Sequence, residues 1–103
     1  MYDFVIGPAM RKDLKKIKNV DLKEEVAQAI SLIRRDPSCG ETKTVDLVGF
    51  SAYRLSFKGV LYRIGYMFFE NKGIVAFSLF DTRENFYARA KRLYAKGQPS
   101  EFR

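Results

Sequence analysis

Apolar and polar positions alternate most sharply between Tyr53 and Phe68. Tyr53, Leu55 and Phe57 recur at every second position, with Arg54, Ser56 and Lys58 between them, which predicts a strand with one apolar side. A tight turn follows at Gly59. Beyond it Tyr62, Ile64, Tyr66 and Phe68 repeat the pattern, with Arg63 on the opposite side. The expected strands are Tyr53–Lys58, Leu61–Phe69 and Gly73–Phe80, the last two joined by a hairpin turn at Glu70-Asn71-Lys72-Gly73. Ile74 to Phe80 is apolar almost throughout, as expected of a strand covered on both faces.

Helical spacing occupies both flanks. Tyr2 to Ile6 reads as a short first strand ended by Gly7-Pro8, and Pro8 suits the first turn of a helix. Met10, Leu14 and Ile17 form the apolar stripe of that helix, which is expected to run to about Lys18. Its other faces carry Arg11, Lys12, Lys15, Lys16 and Lys18, and Asn19 ends it. Asp21 and Glu24 resemble a capping box opening a second helix, with Leu22, Val26, Ile30 and Ile33 facing inward and Arg34 and Arg35 at its end. The short link makes the pair a helical hairpin. Asp36 to Thr44, with its Asp-Pro and Cys-Gly steps, reads as a loop. Asp81 or Thr82 is expected to cap a last helix reaching about Ala95, with Phe86, Ala90 and Leu93 inward, Tyr87 and Tyr94 beside them, and a tail over 98–103. The order β-α-α-β-β-β-α predicts an α+β fold. A small antiparallel-rich sheet is packed by an N-terminal helical hairpin and a C-terminal helix.

Composition narrows the chemistry. A chain of 103 residues fits a single domain, 1–103, and nine Phe and six Tyr can fill much of its core. A formal charge of +7 favours a polyanion or an acidic protein as partner. The single cysteine, Cys39, excludes an internal disulfide and points to a reducing compartment. The absence of histidine argues against a catalytic zinc and against imidazole-based proton transfer, so no cofactor is expected. No apolar run reaches the ~18 residues of a membrane span, and no signal-peptide pattern is present, so the expected location is cytoplasmic, without a membrane partner.

The polar side of the central strands carries Arg54, Lys58 and Arg63, a set of cations suited to phosphate. Arg83 and Tyr87 lie four apart at the start of the last helix and share a face, where a helix N-terminus also favours an anion. The plain readings are that Arg63 is a surface ion-pair residue, that Tyr53, Tyr62 and Tyr66 are core aromatics, and that the lysines of the first helix are a solvated face.

Four segments in order, Leu47-Val48-Gly49, Tyr53-Arg54-Leu55, Tyr62-Arg63-Ile64-Gly65-Tyr66 and Arg83-Glu84-Asn85-Phe86-Tyr87, resemble the RelE/ParE superfamily of toxins from bacterial type II toxin–antitoxin systems. For the RelE-like branch the resemblance implies a metal-independent endoribonuclease that cleaves mRNA in the ribosomal A site and inhibits translation, with the 2′-hydroxyl of the RNA as nucleophile. It implies that Arg63 holds the phosphate, Arg83 assists the leaving group, and Tyr87 acts as base or stacking platform. Lys58 is a second candidate base. Arg54, Ser56, Lys58, Lys15 and Lys16 would contact RNA. RelE has lysines at the positions matching Arg54, Ser56 and Lys58, and Ser56 cannot carry that charge. The implied partners are a cognate antitoxin, the ribosome and mRNA, with operator DNA reached only through the antitoxin. The ParE-like branch implies a different outcome, inhibition of DNA gyrase without nuclease chemistry. A third reading is an inactive toxin fold that binds RNA.

Overall fold

A computed structural model describes residues 1–43 and 50–94 of the chain. The segment Leu47-Val48-Gly49 and the tail over 98–103 lie outside the described residues. In order, the elements are β1 (Asp3–Ile6), α1 (Pro8–Lys16), α2 (Val20–Arg35), β2 (Glu41–Lys43), β3 (Phe50–Phe57), β4 (Val60–Phe69), β5 (Ile74–Thr82) and α3 (Arg83–Tyr94). The strands form one sheet in the order β1-β5-β4-β3-β2. β1 runs parallel to β5, and the other three pairings are antiparallel. The α+β expectation therefore holds, with its antiparallel-rich sheet, N-terminal helical hairpin and C-terminal helix.

Two local readings change. The expected loop after α2 contains a 3-10 turn at Pro37–Cys39 and then β2, whose three residues pair with the start of β3. Glu-Thr-Lys carries no apolar alternation, so its strand character comes from its neighbour and not from its own pattern. The cap of α2 is Asn19 and not Asp21: the Asn19 side-chain oxygen accepts from the Asp21 N–H at 2.8 Å and the Leu22 N–H at 3.1 Å. Asp21 falls inside the first turn, where its charge suits the helix dipole.

The sheet is covered on both faces. Leu55, Ile64, Tyr66, Val75, Phe77 and Phe80 pack with Met10, Ile17, Leu22, Val26, Ala29 and Ile33 of the α1–α2 hairpin. On the other face Phe50, Ala52, Met67 and Leu79 pack with Phe86 and Ala90 of α3. Strict alternation along β5 could not serve both layers in this way. Gly65 pairs with Leu79 while Tyr66 pairs with Phe77, so β5 has one residue more than β4 at that point. This bulge turns Phe77 and Leu79 to opposite faces and brings Asp81 across from Arg63.

Gly65 lies on the α3 face, where Phe50 and Phe86 stack with centroids 5.7 Å apart. A Cβ at this position would lie 2.6 Å from Phe50 Cζ and 3.0 Å from Phe86 Cζ. Glycine is required here for space. The expected result of Gly65→Ala is therefore a loss of about 1–3 kcal/mol through overpacking. Chemical denaturation would measure it, and an unchanged midpoint would disprove the close approach.

Candidate active site

The polar face identified in the sequence lies on the α3 side of the sheet. Ala52 and Gly65 pair across β3 and β4 beneath the Phe50–Phe86 stack, and the next pair along the ladder on that face is Arg54 opposite Arg63. Like charges set directly across a strand pair repel. The structure provides two acidic neighbours that the sequence pattern did not bring into the face. Glu41 of β2 forms an ion pair with Arg54, and Asp81 of β5 stands across from Arg63. The face is thus less purely cationic than its strands alone imply.

The two arginines differ sharply in environment. Arg54 is exposed, whereas Arg63 is only 8% exposed. Among the described residues Arg63 donates one hydrogen bond, from Nη1 to the Tyr62 carbonyl at 3.2 Å, and its buried Nε has no partner. Nor does Asp81 form an ion pair with it. The Asp81 carboxylate instead accepts from Arg89 Nη1 at 2.8 Å and from the Thr82 N–H at 2.7 Å. The same Arg89 nitrogen donates to Asp13 of α1 at 3.0 Å. Asp13 in turn accepts from the Phe80 N–H at 3.0 Å, a group of β5 beyond the stretch that β1 pairs. Arg89 and buried Asp13 were not selected from the sequence. Asp13 falls within the cationic faces of α1, and only its place between Met10 and Ile17 hinted at burial.

Burial pushes the Asp81 carboxyl up, but the hydrogen bonds with Arg89, Thr82 and the Asn85 side chain and the charge of Arg89 outweigh it, and the carboxyl titrates below its ordinary value. Asp81 or Thr82 is the cap of α3 expected from the sequence. The Asp81 carboxylate accepts from the Thr82 N–H, at the junction before the helix, and braces that junction against Arg89.

The remaining candidates distribute as follows. Arg83 opens α3, is exposed, and forms no hydrogen bond or ion pair among the described residues. Tyr87 is half-buried, edge-on to Phe86 with centroids 5.2 Å apart, so it adjoins the Phe50–Phe86 stack that borders Arg63. Ser56 is exposed on the same face of β3, two residues beyond Arg54. Lys58 is not on the strand. With Gly59 it forms the two-residue turn between β3 and β4, at φ +48° and +81°, and its ammonium lies 5.4 Å from the centroid of the Phe57 ring. Both positive φ values match the turn that fits the strand twist best. Lys15 and Lys16 separate: Lys15 lines a groove with Phe4, Val5, Ile6 and Lys23, while Lys16 lines a hollow of about 310 Å³ with Asp13, Tyr62, Asp81 and Arg89. Tyr66 is fully buried and Tyr62 stacks on Phe80 at 5.1 Å, so both are core aromatics. Among the described residues no helix is long and apolar enough to cross a membrane.

The sequence matches the family described as the ParE-like toxin of type II bacterial toxin–antitoxin systems over residues 4–91. No curated protein matches it. Among solved structures, the fold is similar to the toxin–antitoxin complex RelBE2 of Mycobacterium tuberculosis (TM-score 0.67, 24% identity, 80% of this chain and 98% of that one). It is also similar to the intact RelBE toxin–antitoxin complex of E. coli (TM-score 0.64, 15% identity, 78% and 94%). A further similar structure is the isolated E. coli RelE toxin (TM-score 0.58, 16% identity, 91% and 100%). At these identities the likeness is one of fold.

Two expectations follow from the site. A buried polar nitrogen without a partner costs stability, so Arg63→Met should raise the unfolding free energy by about 1 kcal/mol in a denaturant titration; a clear loss would mean that Arg63 is held by contacts of its own. The lowered Asp81 carboxyl contributes stability that is complete above its ordinary value of 3.8 and is lost as pH falls through the lowered one. Melting temperatures measured between about pH 6 and pH 2 should therefore drop less steeply in Asp81→Asn than in the unmodified protein, and parallel curves would contradict the assignment.

Proposed function

Because the chain belongs to the ParE-like toxin family of type II bacterial toxin–antitoxin systems, we propose that it is the toxin of such a pair and cleaves mRNA on the ribosome. Arg63 carries this reading. A guanidinium that is largely buried, with an unpartnered Nε, is disposed toward an anion that accepts two parallel hydrogen bonds, and a phosphodiester is such an anion. Its one facing carboxylate is held by Arg89.

In the proposed reaction a base takes the proton of the 2′-hydroxyl, and the 2′-oxygen attacks the adjacent phosphorus. The bond from phosphorus to the 5′-oxygen breaks, leaving a 2′,3′-cyclic phosphate, and the departing 5′-oxygen takes a proton from solvent water to become a 5′-hydroxyl. Arg63 stabilises the charge that builds on the non-bridging oxygens. Arg83, exposed at the start of α3 and without an ion-pair partner among the described residues, supports the departing 5′-oxygen as a cation, since an arginine does not give up its proton. Tyr87 offers a ring against which a nucleotide base can stack, and its phenol and the amine of Lys58 are the groups of the set able to accept the 2′-proton. Ser56 contributes a hydroxyl and no charge. Arg54 and Lys16 add long-range attraction for the polyanion.

The family match itself favours a second reading. ParE-like members of the superfamily inhibit DNA gyrase without nuclease chemistry, and this chain matches a ParE-like family.

A cell-free translation reaction on one defined mRNA, with cleavage mapped by primer extension in the presence and absence of ribosomes, separates the two. Ribosome-dependent cuts are expected, and Arg63→Ala should lower the cleavage rate by about 10²–10³ while the protein stays folded. Intact mRNA together with blocked supercoiling by gyrase would replace the nuclease reading with the second one.

A further inference from the structure

In register, Asp81 is the residue best placed to neutralise Arg63. The two face each other across β4 and β5 on the same side of the sheet. Directly opposed residues hold their Cβ atoms about 5 Å apart, well within the reach of an arginine. Yet no Arg63–Asp81 ion pair forms. Arg89 reaches in from α3 and takes the Asp81 carboxylate at 2.8 Å. It is fixed there from both sides, because the same nitrogen also donates to Asp13, and Asp13 is anchored on the Phe80 N–H. Asp81 is anchored too, through the Thr82 N–H.

We propose that Arg89 is a positioning residue, which holds the Asp81 carboxylate away from Arg63 and so keeps that guanidinium open to an RNA phosphate. The proposal rests on the reading of Arg63 as the phosphate ligand. Without Arg89, Asp81 retains hydrogen bonds only to neutral groups, the Thr82 N–H and the Asn85 side chain, among those the structure assigns it, and the nearest arginine across the ladder is Arg63. Lys16 and Lys18 line the same hollow as Asp81 and are the competing cations. Both are exposed, so solvent screens their attraction for Asp81, whereas Arg63 is buried. Freed from Arg89, Asp81 turns to Arg63 and occupies it. Arg89 thus acts through Asp81 and touches neither the RNA nor the reacting atoms.

The test uses a short single-stranded RNA with 2′-O-methyl groups, which cannot be cleaved, and follows its affinity by fluorescence anisotropy. Arg63→Ala and Arg89→Gln should each weaken binding by about tenfold. Adding Asp81→Asn to Arg89→Gln should restore affinity to within about threefold of the unmodified protein. Adding Glu25→Gln instead, which restores the same net charge on exposed α2, should leave binding weak. Full affinity in Arg89→Gln, no recovery with Asp81→Asn, or equal recovery with Glu25→Gln each overturns the proposal while a weakened Arg63→Ala leaves the phosphate reading standing. Full affinity in Arg63→Ala overturns that reading and the proposal with it. If Arg89→Gln does not fold, the unmodified protein still decides the matter. On titration with the same RNA, the Arg63 Nε–H resonance should move and that of Arg89 should stay. Movement of Arg89 in its place would make Arg89 itself the ligand.

Discussion

Between Phe77 and Leu79 the last strand has one residue more than its neighbour, and the layout of the molecule depends on that insertion. β5 lies next to last in the sheet, with helices on both faces. It must supply large side chains to the hairpin layer and to the α3 layer within nine residues. The bulge resets the alternation midway. Phe77 and Phe80 then serve one layer and Leu79 the other, and the polar end of the strand turns toward Arg63. Had the ladder run on without it, Phe80 would stand across from Arg63 and the carboxylate of Asp81 would belong to the opposite face.

The charges on this face are arranged as separate couples. Two arginines oppose each other on β3 and β4, and each has an acidic residue on the next strand outward. Glu41 is engaged with the exposed Arg54. Asp81 is engaged with Arg89, which comes from a helix. Of the two opposed arginines, the one left without a carboxylate among the described residues is the buried one, Arg63. A protein selected only for stability would have little reason to keep it, since an apolar side chain at that place would repel nothing and leave no nitrogen without a partner.

Much of this was legible in the chain. The alternation from Tyr53 to Phe68 located β3, β4 and their faces, because one side of each strand is apolar and the other is not. The helical stripes led by Met10, Val26 and Phe86 located all three helices. The same reasoning put Arg63 on the polar side of its strand, and Arg83 and Tyr87 on one face at the start of the last helix. What escaped has a common physical cause. β2 is three polar residues, Asn19 caps by a side-chain bond that several nearby residues could have made, and Asp13 is a charge buried by its partners on α3 and β5. Each depends on contacts distant in sequence, or on a choice between near-equivalent local residues. Lys58 fell the other way: a period-two pattern ran on into the turn, where a left-handed backbone takes it off the strand.

β1 is four residues long, and its one strand partner is β5, some 70 positions later in the chain. It is also tied to the end of α2, where Arg34 exchanges backbone and side-chain hydrogen bonds with Tyr2 and lies over the Phe4 ring at 4.2 Å. Contacts of such long range form slowly, because the loop between them must close first. During synthesis the first strand therefore has no sheet to join until β5 has emerged, and Asp81, Arg83, Tyr87 and Arg89 emerge with or after it. The surface around Arg63 is consequently completed only after α3 has left the ribosome that makes it.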